Sequence, residues 1–94
     1  MQDDVRVDSF TSFVEETEAR LRRALTASFG PEAGREATAE ALAYAWRNWS
    51  RVRSLDNPAG YLYRVGRDKG RDYVRRRAGV GLPGPGGLIA SGLP

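Results

Sequence analysis

Ala33, Ala37, Ala41, Ala45 and Trp49 stand at strict four-residue intervals. No other feature narrows the possible folds of this chain so far. Residues four apart share one face of an α-helix, and a run of alanines lets a second backbone come close. Leu42 and Trp46 widen the stripe to about half the wheel, at ~100° per residue. A helix apolar over so wide an arc touches neighbours on two sides, so it is expected to be the middle helix of a small all-α bundle. Alanine buries little area, and the two tryptophans are expected to supply much of the packing energy.

The punctuation agrees. Gly30–Pro31 and Asn57–Pro58 divide the chain into three helical stretches. The first is expected from Ser9 to Phe29, because Phe10, Phe13, Val14, Thr17, Leu21 and Leu25 recur at spacings of three and four. Asp8 or Ser9 can cap it, and Ser12 to Glu15 offers an alternative capping box. Gly30 stops it, and Pro31 opens the second helix. "SRVRSLDNP" then breaks the periodicity. Asn57 is a good N-cap and Pro58 a good first-turn residue for a third helix running to about Arg77. Its inner face is Leu62, Val65, Gly66 and Tyr73. Gly60, Gly66 and Gly70 each cost it ~1 kcal/mol of helix propensity, so it needs packing or a ligand. Residues 79–94, "GVGLPGPGGLIASGLP", are too rich in Gly and Pro for a helix and read as a disordered tail or linker. The expected organisation is an N-terminal extension over 1–8, a three-helix bundle over 9–78 and a flexible Gly/Pro-rich C-terminal tail over 79–94.

Composition removes several functions. The chain has no Cys and no His. Disulfides, thiolate metal sites, thiol nucleophiles and the commonest general base are thereby excluded. No cluster suggests a metal site, and no cofactor is expected. Asp68 and Asp72 form an i, i+4 pair, but neighbouring arginines would keep both ionised, which suits acid catalysis poorly. An enzyme is not expected. The N-terminus, "MQDDVRVDSF", lacks the apolar run of a signal peptide. No stretch approaches the ~20 apolar residues of a membrane span. The expected location is cytoplasmic.

The formal net charge of +3 hides a segregation. Residues 1–30 carry four basic and six acidic side chains, residues 31–57 four of each, and residues 58–78 seven basic and two acidic. Such asymmetry points to a polyanionic partner for the last helix. On its wheel Arg64, Arg67, Arg71 and Arg75 fall within roughly 80°. Tyr63 flanks this row on one side, Tyr61 and Asp68 on the other. Like charges four apart weaken an isolated helix. Guanidinium forks donate two hydrogen bonds to phosphate and stack on bases. The row and its tyrosine therefore suit a nucleic-acid backbone with stacking. The bland alternative is a solvated basic face. Lys69 falls on the apolar face, between Val65 and Tyr73, and must either snorkel or pair with a glutamate of another helix.

"FVEETEARLRRALTASFG", "AGREATAEALAYAWRNWSRV" and "LDNPAGYLYRVGRDKGRDYVRRR", in that order, resemble the second domain (region 2) of bacterial sigma factors of the extracytoplasmic-function class. The resemblance spans about Phe10 to Arg77. It rests on a helix ending in Phe-Gly, a helix ending in Ala-Trp-Arg-x-Trp, a loop with Asn-Pro, and a basic helix opened by an aromatic residue. It implies a non-catalytic helical bundle that docks on the clamp helices of the polymerase's largest subunit. It also implies recognition and opening of the promoter −10 element through the non-template strand. By motif, Arg64, Arg67, Arg71, Arg75 and Arg76 would face DNA phosphates. Tyr61 would hold the aromatic position tied to opening, and the loop from Ser50 to Asn57 would help to read an extruded base. Thr38, Ala39, Glu40, Leu42 and Ala43 would lie on or near the polymerase-facing surface. Asp68 stands where the family carries Asn, Lys69 where it carries an apolar residue, and Ala39 where it often carries Gln. The family's −35-reading helix-turn-helix has no counterpart in these residues. Two further readings stay open: an interaction module of the same fold that binds polymerase or an anti-sigma protein without reading DNA, and a generic DNA-binding helical domain.

Overall fold

A computed structural model describes the backbone of residues 2–80 and the side chains of residues 5–79. Among them there is no strand. Four helices follow in order: α1 (Gln2–Phe29), α2 (Pro31–Arg47), α3 (Trp49–Val52) and α4 (Pro58–Val80). The three long helices pack pairwise, with α2 against both α1 and α4. No helix among the described residues is long and apolar enough to cross a membrane.

The alanine stripe makes the core. Ala33, Ala37, Ala41, Ala45 and Trp49 are all buried, together with Leu21 and Leu25 of α1, Val52 of α3 and Leu62 of α4. Close approach is built in at Gly34. A Cβ there would lie 2.5 Å from the Thr26 Cα and 2.7 Å from its nitrogen. The backbones of α1 and α2 therefore nearly touch at this crossing, next to the one-residue link at Gly30. Gly30 has φ 90°, a conformation that side-chain-bearing residues rarely adopt. Two glycines of α4 are seats for α1 side chains, Leu25 filling the space at Gly66 and the Phe29 ring that at Gly70, while the Asn57 side chain lies over Gly60. Packing thus offsets their poor helix propensity, as the sequence required.

Three boundaries differ from expectation. First, α1 begins at Gln2, so residues 2–8 are helix rather than an extension. The cause is non-local. Arg6 donates from Nη2 to the Trp46 carbonyl at 3.1 Å, and its guanidinium lies 4.5 Å from the Trp46 ring centroid. Ser9 does not cap; its Oγ accepts a hydrogen bond from Trp49 Nε1 at 3.2 Å. Second, Asn48 separates α2 from α3. Its N–H and its side-chain amide both donate to the Tyr44 carbonyl at 3.0 Å, which closes α2 and sets Trp49 in a new short helix. The expected three-helix bundle is thus a four-helix arrangement with one short member. Third, α4 continues to Val80, so residues 79 and 80 are not tail; the rest of the expected tail lies outside the described residues.

Phe10, Phe13, Trp46 and Trp49 form an aromatic cluster at the far end from Gly30, where α1 packs on the last turn of α2 and the start of α3, with ring centroids of contacting pairs 5.0–5.2 Å apart. Contacts of this kind add ~0.5–1.5 kcal/mol per pair beyond area burial. At the other end, Glu32 Oε2 accepts from Tyr73 Oη at 3.0 Å and Arg77 Nη1 at 2.9 Å. The Tyr73 and Arg77 bonds hold the Glu32 carboxyl below the usual carboxylate range, and donation to Glu32 and to the Tyr73 hydroxyl, at 2.9 Å, raises Arg77 above its own. They tie the distal half of α4 to the first turn of α2.

Candidate nucleic-acid interface

Pro58 at the start of α4 and Asn57 before it fix where the basic helix begins. Asn57 Oδ1 accepts from the Gly60 N–H at 3.0 Å, and its carbonyl accepts from the Tyr61 N–H at 3.0 Å. Asn57 is therefore the cap that the sequence implied. Its carbonyl oxygens are engaged, and its side-chain amide group is the part left to a ligand.

Arg64, Arg67, Arg71 and Arg75 are all exposed along one edge of α4. They are not equally free. The Arg67 guanidinium lies 5.8 Å from the Tyr63 ring centroid. Arg71 Nη2 donates to Asp68 Oδ1 at 2.9 Å, and Arg75 pairs in the same way with Asp72. Both pairs are one helical turn long and solvent-exposed, a setting in which an ion pair is worth ~0–1 kcal/mol. A phosphate can displace such an acid. Among the described residues, Arg64 and Arg76 have no acid partner within ion-pair distance. Arg76 is exposed but stands about 100° around the wheel from Arg75, the nearest member of the row, and about 140° from the row's middle, so it is set apart from it.

Tyr61 is half-buried against the core. Its hydroxyl lies 3.1 Å from that of Tyr44 and accepts from Arg51 Nη2 at 3.3 Å. The Tyr61 hydroxyl is pulled below its ordinary pKa by the Tyr44 bond and by Arg51, whereas Tyr44 is pushed up by the Tyr61 bond and by burial. The Ser50–Asn57 segment, expected as a loop, begins within α3, and only residues 53–57 connect α3 to α4; they are knitted by short bonds from Ser54 Oγ to the Arg51 carbonyl at 2.8 Å and from the Leu55 N–H to the Val52 carbonyl at 3.1 Å. Between this loop and α4 lies an open depression of about 410 Å³, lined by Leu55, Asp56, Asn57, Gly60, Tyr61 and Arg64. A carboxylate acceptor, an amide donor, a phenol ring and a guanidinium therefore converge in one recess. These are the groups that read the edges and faces of an unstacked base.

The second expected surface needs correction. Thr38 is buried, and its Oγ1 donates to the Gly34 carbonyl at 2.7 Å; it does not face outward. Leu42 is half-buried against the core. Glu40 is partly covered and 3.9 Å from Lys69 Nζ, which answers where Lys69 goes. Ala39 and Ala43 are exposed, and Trp46, assigned by the sequence to the core, is 38 % exposed beside them. On the outer face of α2, Ala39, Ala43 and Trp46 therefore form a small patch among the exposed Arg35, Glu36 and Arg47, with Leu42 and Glu40 at its margins.

Sequence reasoning missed Tyr44 and Arg51. Both reach Tyr61 from elsewhere in the fold, and no local spacing signals that contact. No protein-family model, curated protein or solved structure matches this chain.

Proposed function

We propose that the chain is a sigma-like region 2 domain, which joins core RNA polymerase through the outer face of α2 and holds promoter −10 DNA as a single strand along α4. One observation carries this reading: Arg64, Arg67, Arg71 and Arg75 lie exposed along one edge of α4, which begins at a recess lined by Asp56, Asn57, Tyr61 and Arg64. Phosphates on the row position the strand without specifying sequence. A base turned into the recess is read by its edge, and these contacts offset the few kcal/mol lost on unstacking. Tyr61, braced by Tyr44 and Arg51, presents a fixed ring at the point where the strand leaves the duplex. No step requires catalysis by the protein.

A second reading draws on a different observation. Asp68 and Asp72 engage half of the row within the helix itself, and Ala39, Ala43 and Trp46 expose an apolar surface on α2. An interaction module of this fold would bind polymerase or an anti-sigma protein and leave DNA alone. Two measurements on the same protein separate the readings: capture of core polymerase, and anisotropy of a labelled single-stranded −10 oligonucleotide at low salt. Binding to both supports the first reading. Polymerase capture without oligonucleotide binding overturns it in favour of the second. Affinity for duplex DNA without polymerase capture would instead indicate a generic DNA-binding domain.

A further inference from the structure

At the Gly30 end of the bundle, an open groove of about 470 Å³ runs between Phe29, Pro31 and Ala33 on one side and Val74 and Ala78 on the other. Val74 and Ala78 are four residues apart, so they share one face of α4. Val74 is 44 % exposed, and Pro31 and Ala78 are exposed as well. The charged groups at the rim are already matched. Glu32 and Arg77 pair with each other, and the Tyr73 hydroxyl joins them. Both bonds to Glu32 end on Oε2, which leaves Oε1 to accept from a further donor. An apolar strip whose own charges are neutralised suits an uncharged ligand that brings aliphatic side chains and backbone N–H groups. It does not suit a phosphate backbone or a charged peptide, whose charges would lose water there without gaining a partner.

The sequence itself holds such a ligand. Residues 81–94, "GLPGPGGLIASGLP", carry no charged side chain and follow α4 directly. Leu88 and Ile89 are their adjacent pair of large aliphatic side chains, and the Pro and Gly residues before this pair favour a chain reversal. The reach is sufficient. Ala78 and Val74 stand about 3 and 9 Å before Val80 along the helix axis, at ~1.5 Å per residue. The chain from Val80 to Leu88 can span up to about 26–29 Å. So short a tether gives an effective concentration of about 1 mM, and a contact with a Kd near about 1 mM is then made about half of the time. We infer that the α2–α4 groove is the seat of the chain's own residues 81–94, with Leu88 and Ile89 against Phe29, Val74 and Ala78 and a glycine N–H donating to Glu32 Oε1. This inference does not depend on what the arginine row binds.

The test uses the full chain and exploits its lack of cysteine. Ser91→Cys supplies a single attachment point for a nitroxide, and paramagnetic broadening of amide signals in the isotope-labelled protein reports where residues 81–94 lie. Gly30, Ala33 and Val74 should lose most of their intensity. Arg76, on the opposite side of α4 from Val74, should lose much less. Leu88→Ser together with Ile89→Ser should restore the Gly30 and Ala33 signals. Val74→Ser, an exposed position on the groove side, should do the same. The dispersion of the amide spectrum confirms that each variant is folded. Equal broadening of Val74 and Arg76, unchanged by the Leu88→Ser and Ile89→Ser pair, describes a segment without a seat and overturns the inference. Loss centred on Phe10 or Trp46 puts the segment elsewhere and overturns it too. Broadening that arises only between molecules, in a mixture of nitroxide-bearing and isotope-labelled protein, makes a second copy the occupant and is a third overturning result.

Discussion

Replacing both Asp68 and Asp72 with Asn separates DNA affinity from stability, because the two should move in opposite directions. Arg71 and Asp68 are 56 % and 74 % exposed, and Arg75 and Asp72 are 72 % and 48 % exposed. Pairs so open to water are worth ~0.2–1 kcal/mol each. A phosphate that recruits Arg71 or Arg75 must first break such a pair, so freeing both arginines should strengthen binding by ~0.4–2 kcal/mol. That is about 2- to 30-fold in affinity for a single strand at low salt. Screening should shrink the gain as salt rises, since the displaced charges are exposed. Meanwhile the helix loses two i, i+3 pairs, ~0.2–0.5 kcal/mol each. The melting temperature should fall by a few degrees. Anisotropy titrations at two salt concentrations and a thermal melt measure all of this. An affinity that stays the same or weakens at low salt, in a protein that remains folded, refutes the idea that these acids compete with phosphate for the row.

Other consequences of the structure are equally direct. Gly34→Ala should destabilise the bundle by ~1–3 kcal/mol or more, measured by denaturant unfolding, because the added Cβ would meet Thr26 backbone rather than a movable side chain. Glu32 has a lowered pKa in the folded state, caused by Tyr73 and Arg77, so its contribution is fully present above the ordinary glutamate range and is lost as pH falls through the lowered value. Glu32→Gln should therefore reduce stability at neutral pH and flatten the acid limb of the melting-temperature profile, with little difference from the parent at the acid end. Ala43→Arg places a charge on the exposed face of α2 and should reduce polymerase capture at least tenfold without shifting the melt, whereas a parent-like capture would remove that face from the interface.

What the sequence made legible was local. The alanine stripe, the Gly30 and Asn57 breaks and the arginine row each follow from spacing along one helix, and each lies where spacing put it. The misreadings all involve geometry beyond that. An i+4 stripe drifts about 40° per step on a wheel of 100° per residue. By Ala45 it has turned far enough to take Gly34 and Thr38 into the buried arc and to release Trp46 toward solvent. That drift explains both corrections on α2. The early start of α1 depends on Arg6 meeting Trp46, forty residues away in sequence, and the brace on Tyr61 depends on Tyr44 and Arg51. Neither contact leaves a local pattern. The acids inside the row were visible in the sequence, but their pairing depends on rotamers that only the folded helix displays.

That the Arg64–Arg75 edge of α4 meets a single strand is tested most directly by the salt dependence of oligonucleotide binding. With four phosphates neutralised, the logarithm of the association constant should fall with the logarithm of salt concentration at a slope near about −2.8, and Arg67→Ala with Arg71→Ala should bring it to roughly −1.4. A slope that the double substitution leaves unchanged, or an absence of binding by the parent protein at about 50 mM salt, would contradict it.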